Sequence, residues 1–215
     1  MAAIKNKLRK TAHARHRSSH CLLLVDVING LDFPGSAPLV RAAKRAAPHI
    51  CRLAERARAA RVPVIYVNDN FGQWRSDFAQ TYEQSVQPGR PGRHVSEQLK
   101  PGPDDYFVLK PQHSGFYCTT LEPLLGHIGA ERLVIAGFAT NMCVMFTAND
   151  AYMRGFEVVV PADCTASNSP ALTRAALAHI STALRGRTTP ASSITFDAHS
   201  SPRTRRTARG SQRRS

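Results

Sequence analysis

No two of the five cysteines in this 215-residue chain stand in CxxC spacing, and five is an odd number. That combination excludes a disulfide framework and a structural zinc site built on paired cysteines. A reducing cytoplasm is the simplest compartment for such a chain. Long hydrophobic runs are missing too. The apolar stretch CLLLV, Cys21 to Val25, is cut off by Asp26 before it reaches the length of a signal-peptide core. Nothing approaches the roughly 18 apolar residues of a membrane span, so no membrane partner is expected. A chain of this length buries roughly 70% of its unfolded surface in one core, and needs neither disulfide nor metal to fold.

Acid is absent from both ends. The formal net charge is +14, but Lys5, Lys7, Arg9, Lys10, Arg15 and Arg17 lie in the first twenty residues, and Arg203, Arg205, Arg206, Arg209, Arg213 and Arg214 in the last thirteen. These cations leave a net charge of about +2 for everything between them. The basicity therefore belongs to two tails, 1–19 and 199–215, too poor in apolar residues to fold alone, and the domain proper spans 20–198. Such tails can hold nucleic acid or an anionic surface by releasing counterions. No aromatic residue interleaves their charges to stack on bases, so nucleic acid is not the expected partner. His13, His16 and His20 have ligand-like spacing, but an unstructured segment is a poor scaffold for a metal.

Between the tails, short β-rich runs alternate with longer helical ones. CLLLVDV, VPVIYVN, DYFVLK, ERLVIAG, FEVVVP and SSITF read as six strands. Helical patterns fill Ala37 to Ala60, with an interruption expected at Pro48, then Thr119 to Ile128, Asn141 to Arg154 and Pro170 to Leu184. Strands separated by helices imply an α/β fold: a doubly wound, mostly parallel six-stranded sheet with helices on both faces. Residues 71–105 read as one long connection rich in Pro and Gly, a candidate for lining or covering a site.

Ligands in such sheets bind beyond the carboxyl ends of the strands. The polar residues there are Asp26, the pair Asn68 and Asp69, Lys110, the turn GFATNMC and Asp163. Taken alone, each of the five cysteines reads as a small core hydrophobe. Cys143 differs by position: with Thr140 or Asn141 as N-cap, it falls in the first turn of a helix. Unpaired N–H groups there favour a thiolate and can hold an oxyanion. Asp26 interrupts an apolar strand where an unpaired carboxylate is costly. It is either a local cap or ion pair, or a base for the thiol. Lys110 is either a solvated strand end or a cation between Asp26 and Cys143, favouring both their charged forms. Asp163 reads as a structural turn residue. His113 is a turn residue or a donor to substrate, and Phe33, Phe71 and Trp74 are core or pocket lining.

The blocks LLLVDVINGLDFPG, VPVIYVNDNFGQW, VLKPQHSGFYCTTLEPLL and LVIAGFATNMCVMFTANDAYMRGFEVVVPADCTAS, in this order, resemble the isochorismatase-like cysteine hydrolases, which include nicotinamidases and N-carbamoylsarcosine amidohydrolases. The resemblance implies a triad of Asp26, Lys110 and Cys143, and a cis peptide at Phe138-Ala139. It also implies an oxyanion hole formed by the N–H groups of Ala139 and Cys143. Asn68, Asn70 and Thr140 join Phe33, Trp74 and His113 as expected pocket residues. Nicotinamidases place a D-x-H pair where this chain reads NDNFGQW, and no histidine occurs between Asn68 and Arg93. No metal and no other cofactor is therefore expected. The implied activity is hydrolysis of a small amide, ureido or carbamoyl compound through an acyl-enzyme. The alternatives are vinyl ether hydrolysis and a binding role for the tails on a reused scaffold. The expected partners are a small-molecule substrate and further copies of the chain, as a dimer or tetramer.

Overall fold

The computed structural model describes residues 17–196. The basic tails, apart from residues 17–19, lie outside the described residues, as do His13 and His16. Five parallel strands run in the order β3-β2-β1-β4-β5: β1 (His20–Val25), β2 (Val64–Asp69), β3 (Tyr106–Lys110), β4 (Arg132–Phe138) and β5 (Glu157–Val159). A sixth, β6 (Thr165–Ala166), pairs with the end of β4. β1 sits at the centre, paired from Leu22↔Val64 to Val25↔Val67 on one side and from His20↔Arg132 to Val25↔Gly137 on the other.

The unbroken apolar character of β1 follows from burial on both faces. Leu22 and Leu24 join one core with Val64, Tyr66, Val134 and Ala136. Leu23 and Val25 point the other way, into a second core with Ile65, Val67, Leu133 and Ile135. The first core is covered by α1 (Ala37–Ala59), α2 (Phe78–Ser85) and α3 (Arg93–Gln98). The second is covered by α4 (Leu121–Ile128), α5 (Met145–Met153) and α6 (Pro170–Thr182). This is the doubly wound sheet expected from the alternation of patterns. Among the described residues, no helix is long and apolar enough to cross a membrane.

Four expectations are corrected. Helix α1 runs unbroken through Pro48, because its buried stripe continues on both sides, from Leu39 and Ala43 to Ile50, Leu53 and Ala57. That packing outweighs the hydrogen bond proline removes. The connection 71–105 is not structureless but holds α2 and α3. Asp77 starts α2 by accepting from the Gln80 N–H at 2.8 Å. The loop of α3 docks on the segment after β1, with the Gly92 N–H donating to the Gly30 carbonyl at 2.7 Å. SSITF forms no strand: Ala191–Ser193 is a single 3-10 turn, and Arg56 takes the carbonyls of Ala191 and Ile194. The sixth strand comes from DCTAS instead, where Thr165 and Ala166 pair with Gly137 and Phe138. His20, grouped with His13 and His16 for its spacing, instead opens β1 and lies 2.7 Å from an Arg132 guanidinium nitrogen.

Candidate active site

Four neighbouring strands each deliver one residue to the carboxyl edge of the sheet. Asp26 follows β1 directly and adopts a left-handed φ of 51°, a conformation that Asp tolerates better than most residues. Asp69 and Lys110 end β2 and β3 and are register partners. The chain leaving β4 passes a cis Phe138-Ala139 peptide and enters a π-turn, Thr140–Val144, before α5 begins. The N-cap is therefore Ala139, not Thr140 or Asn141. The Ala139 carbonyl accepts the N–H groups of Met142 and Val144 and passes over that of Cys143 between them.

These elements converge on the Lys110 ammonium, which has no exposed surface. Its Nζ lies 2.9 Å from Asp26 Oδ2, 3.3 Å from Asp69 Oδ2 and 3.5 Å from Cys143 Sγ. The other Asp26 oxygen accepts the Asp69 N–H at 2.7 Å, so the carboxylate is held at both ends. His113 approaches the thiol from the far side, Nδ1 to Sγ 3.9 Å, with its ring tilted against Phe146 at 5.4 Å.

Burial sets the electrostatics. It pushes the Asp26 carboxyl above its usual range, and the attraction of Lys110 and the hydrogen bonds from Cys143, Lys110 and the Asp69 N–H offset this only in part. Burial opposes the Lys110 charge, but Asp26, Cys143 and Asp69 overcome it, so Lys110 remains an ammonium. Cys143 is pushed up to about 12, by burial first and the Asp26 charge second, with Lys110 working against both. The lowering expected from the helix start is thus opposed by burial and by the Asp26 charge, and the sulfur is hydrogen-bonded to a carboxyl group of raised basicity. Proton transfer from sulfur to Asp26 is what this arrangement can do.

The pocket expectations divide by strand parity. Ile65, Val67 and Asp69 face the site's side of β2, so Asn68 faces the other, where its amide donates to the Ile28 carbonyl at 2.6 Å. Thr140 is fully buried against Thr165, with the two hydroxyls 2.8 Å apart. Neither reaches the thiol. Asn70 closes a turn by accepting the Gly72 N–H, and Trp74, on the following loop, is 78% exposed. Phe33 and Phe71 line a separate cavity of about 260 Å³ with Leu31 and Arg90. His113 alone of the expected pocket residues stands beside the sulfur. Asp69 as a direct partner of Lys110 was not anticipated, although its register with Lys110 follows from aligning the ends of VIYVND and YFVLK. Among the described residues, no three His, Cys, Asp or Glu side chains gather where a metal ion could sit.

Residues 20–191 match the isochorismatase domain. The chain belongs to the isochorismatase family. It is 39% identical over 153 residues to the uncharacterized isochorismatase family protein YaaI of Bacillus subtilis, covering 71% of this chain and 83% of that protein. It is 33% identical over 201 residues to the ureidoacrylate amidohydrolase RutB of Methylobacterium radiotolerans, covering 75% and 72%. The crystal structure of an isochorismatase family protein from Desulfovibrio vulgaris shares the fold at TM-score 0.66 and 23% identity, covering 81% of this chain and 95% of that one. The protein is thus an isochorismatase-family hydrolase, and the carboxyl edge of its sheet is where hydrolysis is to be sought.

Proposed function

We propose that the protein is a metal-independent cysteine amidohydrolase that cleaves the C–N bond of a small amide, ureido or carbamoyl compound through a thioester. The single observation carrying this reading is the buried ammonium of Lys110, 2.9 Å from the Asp26 carboxylate and 3.5 Å from the Cys143 thiol. The similarity to ureidoacrylate amidohydrolase RutB supports the choice of bond.

Asp26 takes the thiol proton as sulfur attacks the carbonyl carbon, and the N–H groups of Ala139 and Cys143 receive the negative oxygen. Lys110 stays positive throughout, holding Asp26 in place and lowering the cost of the transient thiolate. Asp26 then protonates the departing nitrogen, which leaves as ammonia or an amine. A water that gives its proton to Asp26 attacks the thioester, the acid departs, and the proton returns to sulfur. His113 faces the sulfur from the open side, a position suited to a hydrogen bond with substrate. The exposed Trp74, Phe146 and Met153 support a dimer or tetramer in which such surfaces are covered.

Ammonia release from a panel of small amides and ureido acids tests the assignment, with intact-protein mass spectrometry to detect the acyl adduct. The wild type releases ammonia and Cys143→Ala does not; equal activity in the two ends the nucleophile assignment. Turnover that survives Cys143→Ala but is lost in Asp26→Asn points instead to ether hydrolysis.

A further inference from the structure

A concavity at the edge of the sheet beside β6 has a lining that does not include Cys143. It encloses about 640 Å³. One wall is a single face of α1, at Pro38, Arg41, Ala42, Arg45, Ala46 and His49. The opposite wall is one face of α6, at Pro170, Thr173, Arg174 and Leu177, and the segment from Ala162 to Asn168 forms the floor. Because α1 covers one face of the sheet and α6 the other, the groove straddles the edge.

Its charge is unbalanced. Arg41, Arg45 and Arg174 make no ion pair or hydrogen bond among the described residues. The one carboxylate in the lining, Asp163 on the floor, is already engaged: Oδ1 accepts the Ala191 N–H at 2.8 Å and Oδ2 lies 3.2 Å from His49 Nδ1. Both helices enter the groove by their amino-terminal turns, and neither has an acid in its first turn. Arg41 and Arg174 follow the first turns of their helices and Arg45 lies one turn further along, so no acid at either helix start offsets the three cations. Three free guanidinium groups around one concavity offer paired N–H donors with the geometry of phosphate oxygens.

We infer that this groove binds a small multivalent phosphate anion, at a site separate from the thiol. The volume suits an inorganic polyphosphate or a nucleoside phosphate. A nucleic-acid duplex is too broad to lie between two helices of one domain, so a free small anion is the occupant.

Calorimetric titration of the full-length protein with tripolyphosphate and with ADP, at fixed ionic strength, tests the site. The comparison is with full-length R45Q/R174Q, which keeps both basic tails and alters only exposed side chains. Saturable 1:1 binding to wild type that weakens about tenfold or more in the double variant, with an unchanged melting temperature, supports the groove. Tighter binding of ADP than of tripolyphosphate shows that the nucleoside is read as well; equal binding shows recognition of phosphate alone. Unchanged affinity in the double variant assigns binding to the tails and overturns the inference, as does the absence of saturable binding or saturation by an RNA oligomer only. Cys143→Ala binds like wild type, so the outcome is independent of the proposed catalysis.

Discussion

Replacing Asp26 by Asn separates two things that the proposed mechanism couples, the reactivity of the resting thiol and the turnover of an amide. Asn keeps the size of the side chain and tolerates the left-handed φ of 51°, so the backbone at the end of β1 is preserved. What disappears is the negative charge that, after burial, most strongly raises the Cys143 thiol. Lys110, 3.5 Å from the sulfur, then acts unopposed by that charge. Each unit by which the thiol falls raises its ionised fraction about tenfold. The thiolate also becomes intrinsically less nucleophilic as its basicity falls, with a Brønsted slope of about 0.4 to 0.5, so a drop of two units leaves a net gain of roughly tenfold. Alkylation of Cys143 by iodoacetamide, followed by mass spectrometry of the peptide that contains it, should therefore accelerate about tenfold in Asp26→Asn. Amide turnover should meanwhile fall by about 10² to 10⁴, the contribution of a general acid and base. Peptide resolution matters because Cys118 is exposed and reacts as well. Slower alkylation in the variant would refute the reasoning, since it would mean that Asp26 already holds the sulfur's proton in the resting enzyme.

Lys110→Met leaves the 5%-exposed Asp26 carboxylate without its cation, and should lower stability by about 3 kcal/mol in urea titration at pH 7 while abolishing turnover; a change under about 1 kcal/mol would show that the pair is already well hydrated. Gly137→Ala would put a Cβ 2.0 Å from the Val25 carbonyl oxygen at a φ of 124°, and should destabilise by about 3 kcal/mol or more, read as a lowered melting temperature. Alkaline pH weakens the fold through its thiols. Cys21, Cys143 and Cys164 are all raised by burial above the ordinary thiol range. Their contribution is full below pH about 9, the unfolded value, and is lost as pH rises through the folded values, about 12 for Cys143. Urea midpoints should drop between pH 8 and pH 11 by the equivalent of about 2 kcal/mol or more, and a flat profile would contradict the burial of these groups.

Particular residues show how far the sequence could be read. Asp26, Lys110 and Cys143 were legible because each is a polar residue at the carboxyl end of an apolar run, and a parallel sheet brings such ends to one edge. The upward push on both Asp26 and Cys143 was not, since it comes from the depth of their burial, which no spacing encodes. SSITF has good β propensity, yet its start is taken into a 3-10 turn and its backbone carbonyl at Ile194 is claimed by Arg56, whereas the two-residue β6 finds an open partner at the end of β4. Pro48 looked like a helix break because local chemistry disfavours it, and the core beneath α1 overrules that preference. Asn68 and Asp69 stood side by side in sequence, and only the alternation of the strand decides which of them meets the ammonium.

The sheet order also has a consequence during synthesis. β1 is made first among the strands, yet one of its two neighbours, β4, lies more than a hundred residues later in the chain. Its LLLV run can be paired on only one side until β4, just ahead of Cys143, has been translated. Pairing with β4 seats the centre strand and brings the segment of Cys143 beside Asp26, so these two residues cannot meet before that long-range contact forms.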